Sequence, residues 1–313
     1  MFEIRRYKPE LAAEWDAFVA QSKNGTFLFF RNYMDYHCDR FIDHSLMFYL
    51  DGRLYALLPA NSVNGVLYSH QGLSYGGLIM SELTTTAAVC ALFDELNALL
   101  HREGFHSVVY KPAPWIYHRL PSEEDLYAIF LKCGAKIIGR DVSSTLIPER
   151  HVKWKRDRRY AANKARNNGI VVAPSDDYEA FWQILSDNLM RKYSAHPVHT
   201  LDEIRLLHSR FPDHIRLWTA CSADGKLLAG TVLYINGDVV HSQYISASVE
   251  GKRMHAVDAL YYHIIHHAYA NASFIDFGTS NMPHNSDLHE SLIYQKEGFG
   301  GRAVCYDTYQ YDL

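Results

Sequence analysis

Long apolar runs are missing from this 313-residue chain. No window approaches the roughly 18 unbroken apolar residues that a membrane span needs, and the richest stretch, Ala87 to Leu100, is interrupted by Asp94 and Glu95. Cysteine is sparse, with five residues (Cys38, Cys90, Cys133, Cys221, Cys305), no CxxC pair and an odd one out. That excludes a disulfide framework and is the usage expected of reduced thiols in the cytoplasm. An excess of basic residues is also missing, since 31 Lys and Arg stand against 35 Asp and Glu for a formal charge of −4. A general affinity for nucleic acid is therefore not expected. The opening MFEIRRYKPE reads as a strand without an apolar h-region, so no signal peptide is expected. What remains is ordinary globular composition, 48% hydrophobic and 21% charged, in a chain long enough for two cores of roughly 150 residues each.

One pattern is written twice. Asp51-Gly52-Arg53-Leu54-Tyr55-Ala56 matches Asp224-Gly225-Lys226-Leu227-Leu228-Ala229, a tight turn opening a strand. Further strand-like stretches follow at Val66 to Ile79 and at Val239 to Ala247, then a helix at Thr84 to Arg102 and at Lys252 to Tyr269. Short apolar strands come next, His106 to Tyr110 and Phe274 to Phe277. Leu131-Lys132-Cys133-Gly134 then echoes Gln295-Lys296-Glu297-Gly298 before a closing strand. The displacement between the copies is nearly constant, which predicts two copies of one fold. The strands alternate with period 2, as in Ile215 to Ala220, and the second helix carries Val257, Leu260, Tyr261, Ile264 and Ala268 at helical spacing. A meander followed by a strand-helix-strand crossover gives an α/β (α+β) class. Each copy is then a mixed, mostly antiparallel sheet with helices on both faces.

The second copy runs through Gly230-Thr231-Val232-Leu233-Tyr234 and Gln243-Tyr244-Ile245-Ser246 to Asp276-Phe277-Gly278-Thr279-Ser280 and Lys296-Glu297-Gly298-Phe299-Gly300. This succession, with the basic stretch Arg159 to Ile170 before it, resembles the FemABX-like branch of the GNAT acyltransferase superfamily and, within it, the acetyltransferase-like members. The resemblance implies two tandem GNAT-like domains, 1–149 and 150–313, with the second as the donor and catalytic half. It also implies acyl or aminoacyl transfer to an amine of a cell-envelope, surface-glycan or peptide precursor, by direct attack without a covalent enzyme intermediate. The donor implied is acyl-coenzyme A as co-substrate or an aminoacyl-tRNA, and the acidic balance favours the thioester. A non-catalytic tandem-GNAT module binding a glycan or peptide is the alternative.

In such a fold the donor's pantetheine enters where two parallel strands splay apart, here Val239 to Ala247 and Phe274 to Gly278. Its diphosphate would meet the start of the intervening helix, Gly251-Lys252-Arg253-Met254-His255-Ala256, where unpaired N–H groups favour an anion. Lys252 and Arg253 are the candidates there, although the family's usual Q/R-x-x-G-x-G/A is largely lost, which favours the binding-module alternative. Lys296 matches the family lysine of the K-x-G-F-G segment and is the first catalytic candidate, for polarising the acyl carbonyl. The competing reading is an exposed helix-end lysine, and its counterpart Lys132 favours that one. Tyr244, beside Gln243, is either a proton donor to the leaving group or a packing residue. Asp276 is either an acceptor for the ammonium proton or a turn residue. Ser280 and Asn281 join it at the strand's C-terminal end as cofactor-binding candidates.

The loop holding Arg191, Tyr193, His196 and His199 precedes a capping box, Thr200 with Glu203, and would cover the acceptor. In the first copy, Tyr68 to Gly77 contains three glycines with His70 and Tyr75, which suggests a close backbone approach; it is either an acceptor surface or a bulged hairpin. Residues 150–166 carry eight Lys and Arg against Asp157, a patch for a phosphate-rich ligand or a solvated helix, with Trp154 and Tyr160 as possible stacking faces. Eighteen histidines include His263, His266 and His267 on one helix, and His284 and His289 around Asp287. No completed ligand set accompanies them, so no metal is expected.

Overall fold

The chain opens with β1 (Phe2–Arg6), α1 (Ala12–Gln21), α2 (Arg31–Met34), β2 (Leu46–Leu50), β3 (Arg53–Leu58), β4 (Asn61–Val63), β5 (Val66–Tyr68) and β6 (Ile79–Met80). It continues with α3 (Thr86–Arg102), β7 (Ser107–Tyr110), α4 (Glu124–Cys133) and β8 (Lys136–Leu146). Then come α5 (Arg156–Asn167), β9 (Val171–Ser175), α6 (Tyr178–Tyr193), α7 (Leu201–Arg210), β10 (Ile215–Cys221), β11 (Leu227–Asn236) and β12 (Val239–Ala247). The final elements are α8 (Val249–Arg253), α9 (Ala256–His263), β13 (Phe274–Thr279), α10 (Glu290–Gly298) and β14 (Arg302–Asp312). This computed structural model describes residues 1–150, 152–282 and 287–313. Among them, no helix is long and apolar enough to cross a membrane.

The chain divides into two compact units, Met1–Asp141 with Cys305–Leu313, and Val142–Val304. The sequence reading drew the line at 149/150; the observed division falls earlier and returns the last residues to the first unit. The reason lies in the closing strands. The second part of β8 pairs with β13, through Leu146↔Ile275 and Thr145↔Asp276. β14 pairs with β7, through Tyr309↔Tyr110 and Tyr311↔Val108. The closing strand of each copy thus completes the sheet of the other, an exchange that local sequence pattern does not reveal.

In the first unit, β1, β2, β3 and β6 form one antiparallel sheet, while β4, β5, β7 and β14 lie side by side in that order. Its core gathers Phe48, Leu67, Phe93, Leu96, Val108 and Ile129 around α3. Thr85 caps α3 by accepting from Ala88 N. In the second unit the order is β8, β13, β12, β11, β10, β9, and β12–β13 is the parallel pair. Ala162, Ala165, Leu233, Val240, Ala259, Leu260 and Ile275 pack α5 and α9 onto one face, while Trp182 and Phe181 of α6 pack the other. The expected mixed sheets with helices on both faces are what the chain forms.

The helix expected over Lys252 to Tyr269 is broken. α8 ends at Arg253, His255 takes a left-handed φ of 59°, and α9 starts at Ala256 and widens into a π turn over Ile264–Ala268. Within α8, Gly251 lets the helix lie close on β11, since a Cβ there would be 2.0 Å from Leu228 O. The strands expected between Val66 and Ile79 shrink to the short β5 and β6, with irregular chain between them.

Candidate functional site: a cleft between two diverging strands

β12 and β13 pair over three rungs, Val239↔Phe274, Val240↔Ile275 and His241↔Asp276, and then part. Both strands are bent at that point. The β11–β12 register jumps from Val232↔Tyr244 to Leu233↔Ser242, so Gln243 is a bulge residue, and bulges swing a strand away from its partner. On the other strand, Gly278 has φ of 74° and the register with β8 shifts between Asp276 and Thr279. Beyond the last rung lies a cleft of about 750 Å³. Leu185 and Leu189 of α6, Ile245, Val257, Phe277, Leu292 and Phe299 make its apolar walls, and Arg158, Arg191, Lys192, Lys252 and Lys296 its cations.

The matching place in the first unit is closed. After Tyr68↔Val109, Ser69 N donates to Val109 O at 3.0 Å, Gly76 N to Lys111 O at 2.7 Å and Ala113 N to Gly76 O at 3.1 Å. The close approach that its glycines suggested is to the chain itself. A Cβ on Gly76 would sit 1.7 Å from Ser69 O, and one on Gly72 would sit 2.3 Å from His37 Nε2. His70 is buried with φ of 80° and stacks on His37 at 5.4 Å; burial, then the neighbouring His37, push its pKa down to about 3. Tyr75 packs against Phe29 and Tyr117. Both are interior residues of the first unit, which corrects the acceptor-surface expectation for them.

At the cleft, Lys252 Nζ donates to Asn188 Oδ1 at 2.7 Å, and Arg191 Nη2 approaches the same oxygen at 3.4 Å. Burial, followed by the charges of Arg191 and Lys192, lowers the Lys252 pKa. Three cations held this close repel one another and attract a multiply charged anion. Arg253 is exposed and is not part of the cleft wall. Arg158 lies along Gly298, where a Cβ would meet its Cγ at 2.9 Å, and donates to Asp258 Oδ1 at 3.0 Å.

Lys296 is buried, 5% exposed, and its Nζ donates to Gly278 O and Thr279 O, each at 2.7 Å. Burial pulls its pKa down to about 8, against the opposing pull of Asp276. Lys132, its counterpart, is a surface residue paired with Asp94 at 2.8 Å. The helix-end reading therefore describes Lys132 and not Lys296.

Several other candidates have structural partners. The Tyr244 hydroxyl lies 2.6 Å from His199 Nδ1 and accepts from His199 N at 3.2 Å, while Trp182 Nε1 donates to His199 O at 3.2 Å. This group ties the α6–α7 loop to β12 and does not line the cleft. Asp276 is fully buried, accepting from Ser143 Oγ, from Thr145 Oγ1 at 3.0 Å and from Gly278 N at 3.3 Å, with His241 Nδ1 at 2.9 Å. It is thus walled off from a substrate amine, which corrects its expected role. Ser280 N donates to Val142 O and Asn281 Oδ1 accepts from Val142 N, both at 2.8 Å, so these two dock β8 rather than line the cleft. Tyr193 does line it, its hydroxyl 2.9 Å from His289 Nε2. His196 is exposed and is not part of the cleft wall, and Thr200 and Glu203 form the expected capping box.

Of the basic stretch, Lys155 sits over the Tyr294 ring at 3.6 Å and Arg166 over Tyr262 at 4.1 Å. Trp154 is buried against Phe299, so it is not a stacking face. His263, His266 and His267 pack on Trp218, Trp154 and Tyr262. Among the described residues, no group of three or more His, Cys, Asp or Glu is arranged to hold a metal. His284 lies outside the described residues.

Residues 152–286 match the family model described as an acetyltransferase (GNAT) domain. The whole chain shares its fold with solved structures. FemX has a TM-score of 0.72 at 13% identity, over 99% of this chain and 97% of that one. L-PGS from Bacillus licheniformis has 0.60 at 12%, over 97% and 91%. A tandem GNAT protein of the clavulanic acid pathway has 0.53 at 12%, over 100% and 98%. No curated protein matches in sequence. Identities this low establish the FemX-like tandem GNAT fold alone. Of the cleft's residues, the sequence reading missed Asn188, Lys192 and Asp258, and had Arg158 only as one cation of the basic stretch 150–166. Asn188 and Lys192 look like surface polar positions of an ordinary helix until α6 is laid against the end of β12.

Proposed function

We propose that this protein transfers an acyl group from an activated carbonyl donor to an amine in the β12–β13 cleft, by direct attack. The observation that carries the reading is the parting of the two strands after the His241–Asp276 rung, with apolar walls inside and Lys252, Arg191 and Lys192 clustered at α8. That combination suits a donor with a slender arm and a phosphate-bearing head, and acyl-coenzyme A is the donor we infer. Lys296 commits two of its three ammonium protons to carbonyls, and the third can polarise the reacting carbonyl. Tyr193 and His196 are the acceptor-side residues of this proposal, Arg191 standing instead with the donor-side cations, and the acceptor is an amine of a cell-envelope or surface-glycan precursor.

The test offers the protein labelled acyl-coenzyme A and, separately, charged tRNA, with amino-sugar and peptide amines as acceptors, and follows N-acylation by mass spectrometry. Transfer from the thioester is expected. Transfer from tRNA alone would move the donor to the aminoacyl class. Acceptor binding with no transfer from either donor would make the protein a binding module.

A further inference from the structure

In the second unit the chain entering α5 lies against α10. Lys155 N donates to Gly298 O at 3.0 Å, Lys155 Nζ sits over the Tyr294 ring at 3.6 Å, and the Arg158 stem runs along Gly298. The helix at the same place in the first unit is α4, where Phe130 and Leu131 stand in the positions of Tyr294 and Gln295. Among the described residues no segment lies over that face: Phe130 is 72% exposed, and Tyr127 and Leu131 are more than half exposed. α4 is ten residues long, and only Glu124, Asp125 and Lys132 in it are not apolar. Ala128 and Ile129 are buried in the core around α3. Tyr127, Phe130 and Leu131, at i, i+3 and i+4, make a second apolar stripe on the opposite side. A helix that is apolar all round is built to be covered all round. Past the left-handed Gly134, β8 opens with Ile137 and Ile138, both about half exposed. Neighbours on a strand point to opposite faces, so one of the two extends the stripe on the side where α4 packs.

We propose that this face seats a second copy of the chain, with the two α4 helices antiparallel across a two-fold axis. Four such side chains expose roughly 400 Å², the size of patch that marks an interaction site. A stable interface takes about 800 Å² from each partner, and the polar rim supplies the remainder. The rim charges select the partner. Exposed Glu123 and Asp94 stand there with Lys132 and Lys136, so an anionic lipid surface would be repelled by half of them. Lys132 is already paired with Asp94 at 2.8 Å. Glu123 and Lys136 bracket α4, one before it and one after it, and neither has an ion-pair partner among the described residues. A two-fold axis through the middle of the helix brings each Glu123 to the Lys136 of the other copy. It also sets the two helix dipoles side by side in opposite directions, with Phe130 and Tyr127 at the centre of the contact, where aromatic anchors carry most energy.

The experiment is sedimentation velocity of the full chain from low to high micromolar concentration, on wild type, F130E, E123K, K136E and the double variant E123K/K136E. Wild type is expected to sediment as a dimer. F130E is expected to sediment as a monomer with unchanged far-UV circular dichroism, because that side chain is exposed in the single chain. E123K and K136E are each expected to raise the dimer Kd about 10-fold, since each turns two attractive rim pairs into repulsive ones. The double variant restores opposite charges across the axis and is expected to return the Kd towards wild type. A monomeric wild type overturns the proposal. So does a dimer that F130E leaves intact, or a double variant that binds no more tightly than the single ones. Flotation with phosphatidylglycerol vesicles is run alongside: a monomer that binds them through Phe130 would assign the face to a membrane and overturn the dimer. Should F130E not fold, the three charge variants decide, because Glu123 and Lys136 are exposed.

Discussion

Asn188 holds Lys252 with its side-chain oxygen at 2.7 Å, while its amide nitrogen donates to Ser246 Oγ at 2.8 Å and Ala247 O at 2.7 Å. One side chain on α6 therefore both secures the free end of β12 and aims a cation at the cleft. Replacing Lys252 with Ala should weaken binding of the phosphate-bearing donor by about 10-fold or more, and the loss should shrink as salt is raised. Asn188→Ala should weaken binding less and also lower stability by about 1–2 kcal/mol. Calorimetric titration at two ionic strengths, with thermal melts alongside, checks both.

Lys296 sits below the ordinary lysine value of 10.5, at about 8, because of burial. Between those two values the unfolded chain holds the proton more firmly than the folded one, so stability rises with pH across that window and falls as pH drops through about 8. Lys296→Met removes the titrating group. It should flatten that rise in denaturation curves taken at pH 7, 8, 9 and 10. If the ammonium polarises the reacting carbonyl, kcat at pH 7 should also fall about 100-fold or more.

Gly251→Ala would force a Cβ to within 2.0 Å of Leu228 O. The backbone of α8 must then move, and we expect a loss of about 2–4 kcal/mol in chemical denaturation. Donor affinity should fall with it, because Lys252 is the next residue. Gly237→Ala, at a turn with open space around it, should cost about 1 kcal/mol through its positive φ alone.

Tyr244→Phe removes the hydroxyl shared by His199 N and Nδ1. We expect about 1–2 kcal/mol of lost stability and faster proteolysis between Ser194 and Thr200, with kcat changed less than about 10-fold. A kcat loss of about 100-fold or more with unchanged loop protection would instead make Tyr244 a proton donor.

The duplicated element order was legible because Asp-Gly turns and period-2 stretches are local signals. The separation of β12 from β13 was legible only through the family resemblance. Lys296 stood out by its place before Gly-Phe-Gly, yet the segment did not say what its ammonium touches; the carbonyls of Gly278 and Thr279, brought from another element, set it apart from Lys132. The break at His255 stayed hidden because apolar residues run at helical spacing beyond it and histidine is not a residue that announces a left-handed φ. Asp276 was read as an acceptor for the ammonium proton or a turn residue. Its actual neighbours, Ser143 and Thr145, arrive on β8, the strand that the repeat pattern assigned to the first copy.

That traded strand bears on how such a protein can be cut. Severing the chain at 149/150 would strip Cys305–Leu313 from β7 and Val142–Leu146 from β13, leaving a raw hydrogen-bonding margin on each fragment. Such margins recruit whatever backbone is nearby. Neither half expressed by itself should stay monomeric, whereas the two fragments produced together should recombine.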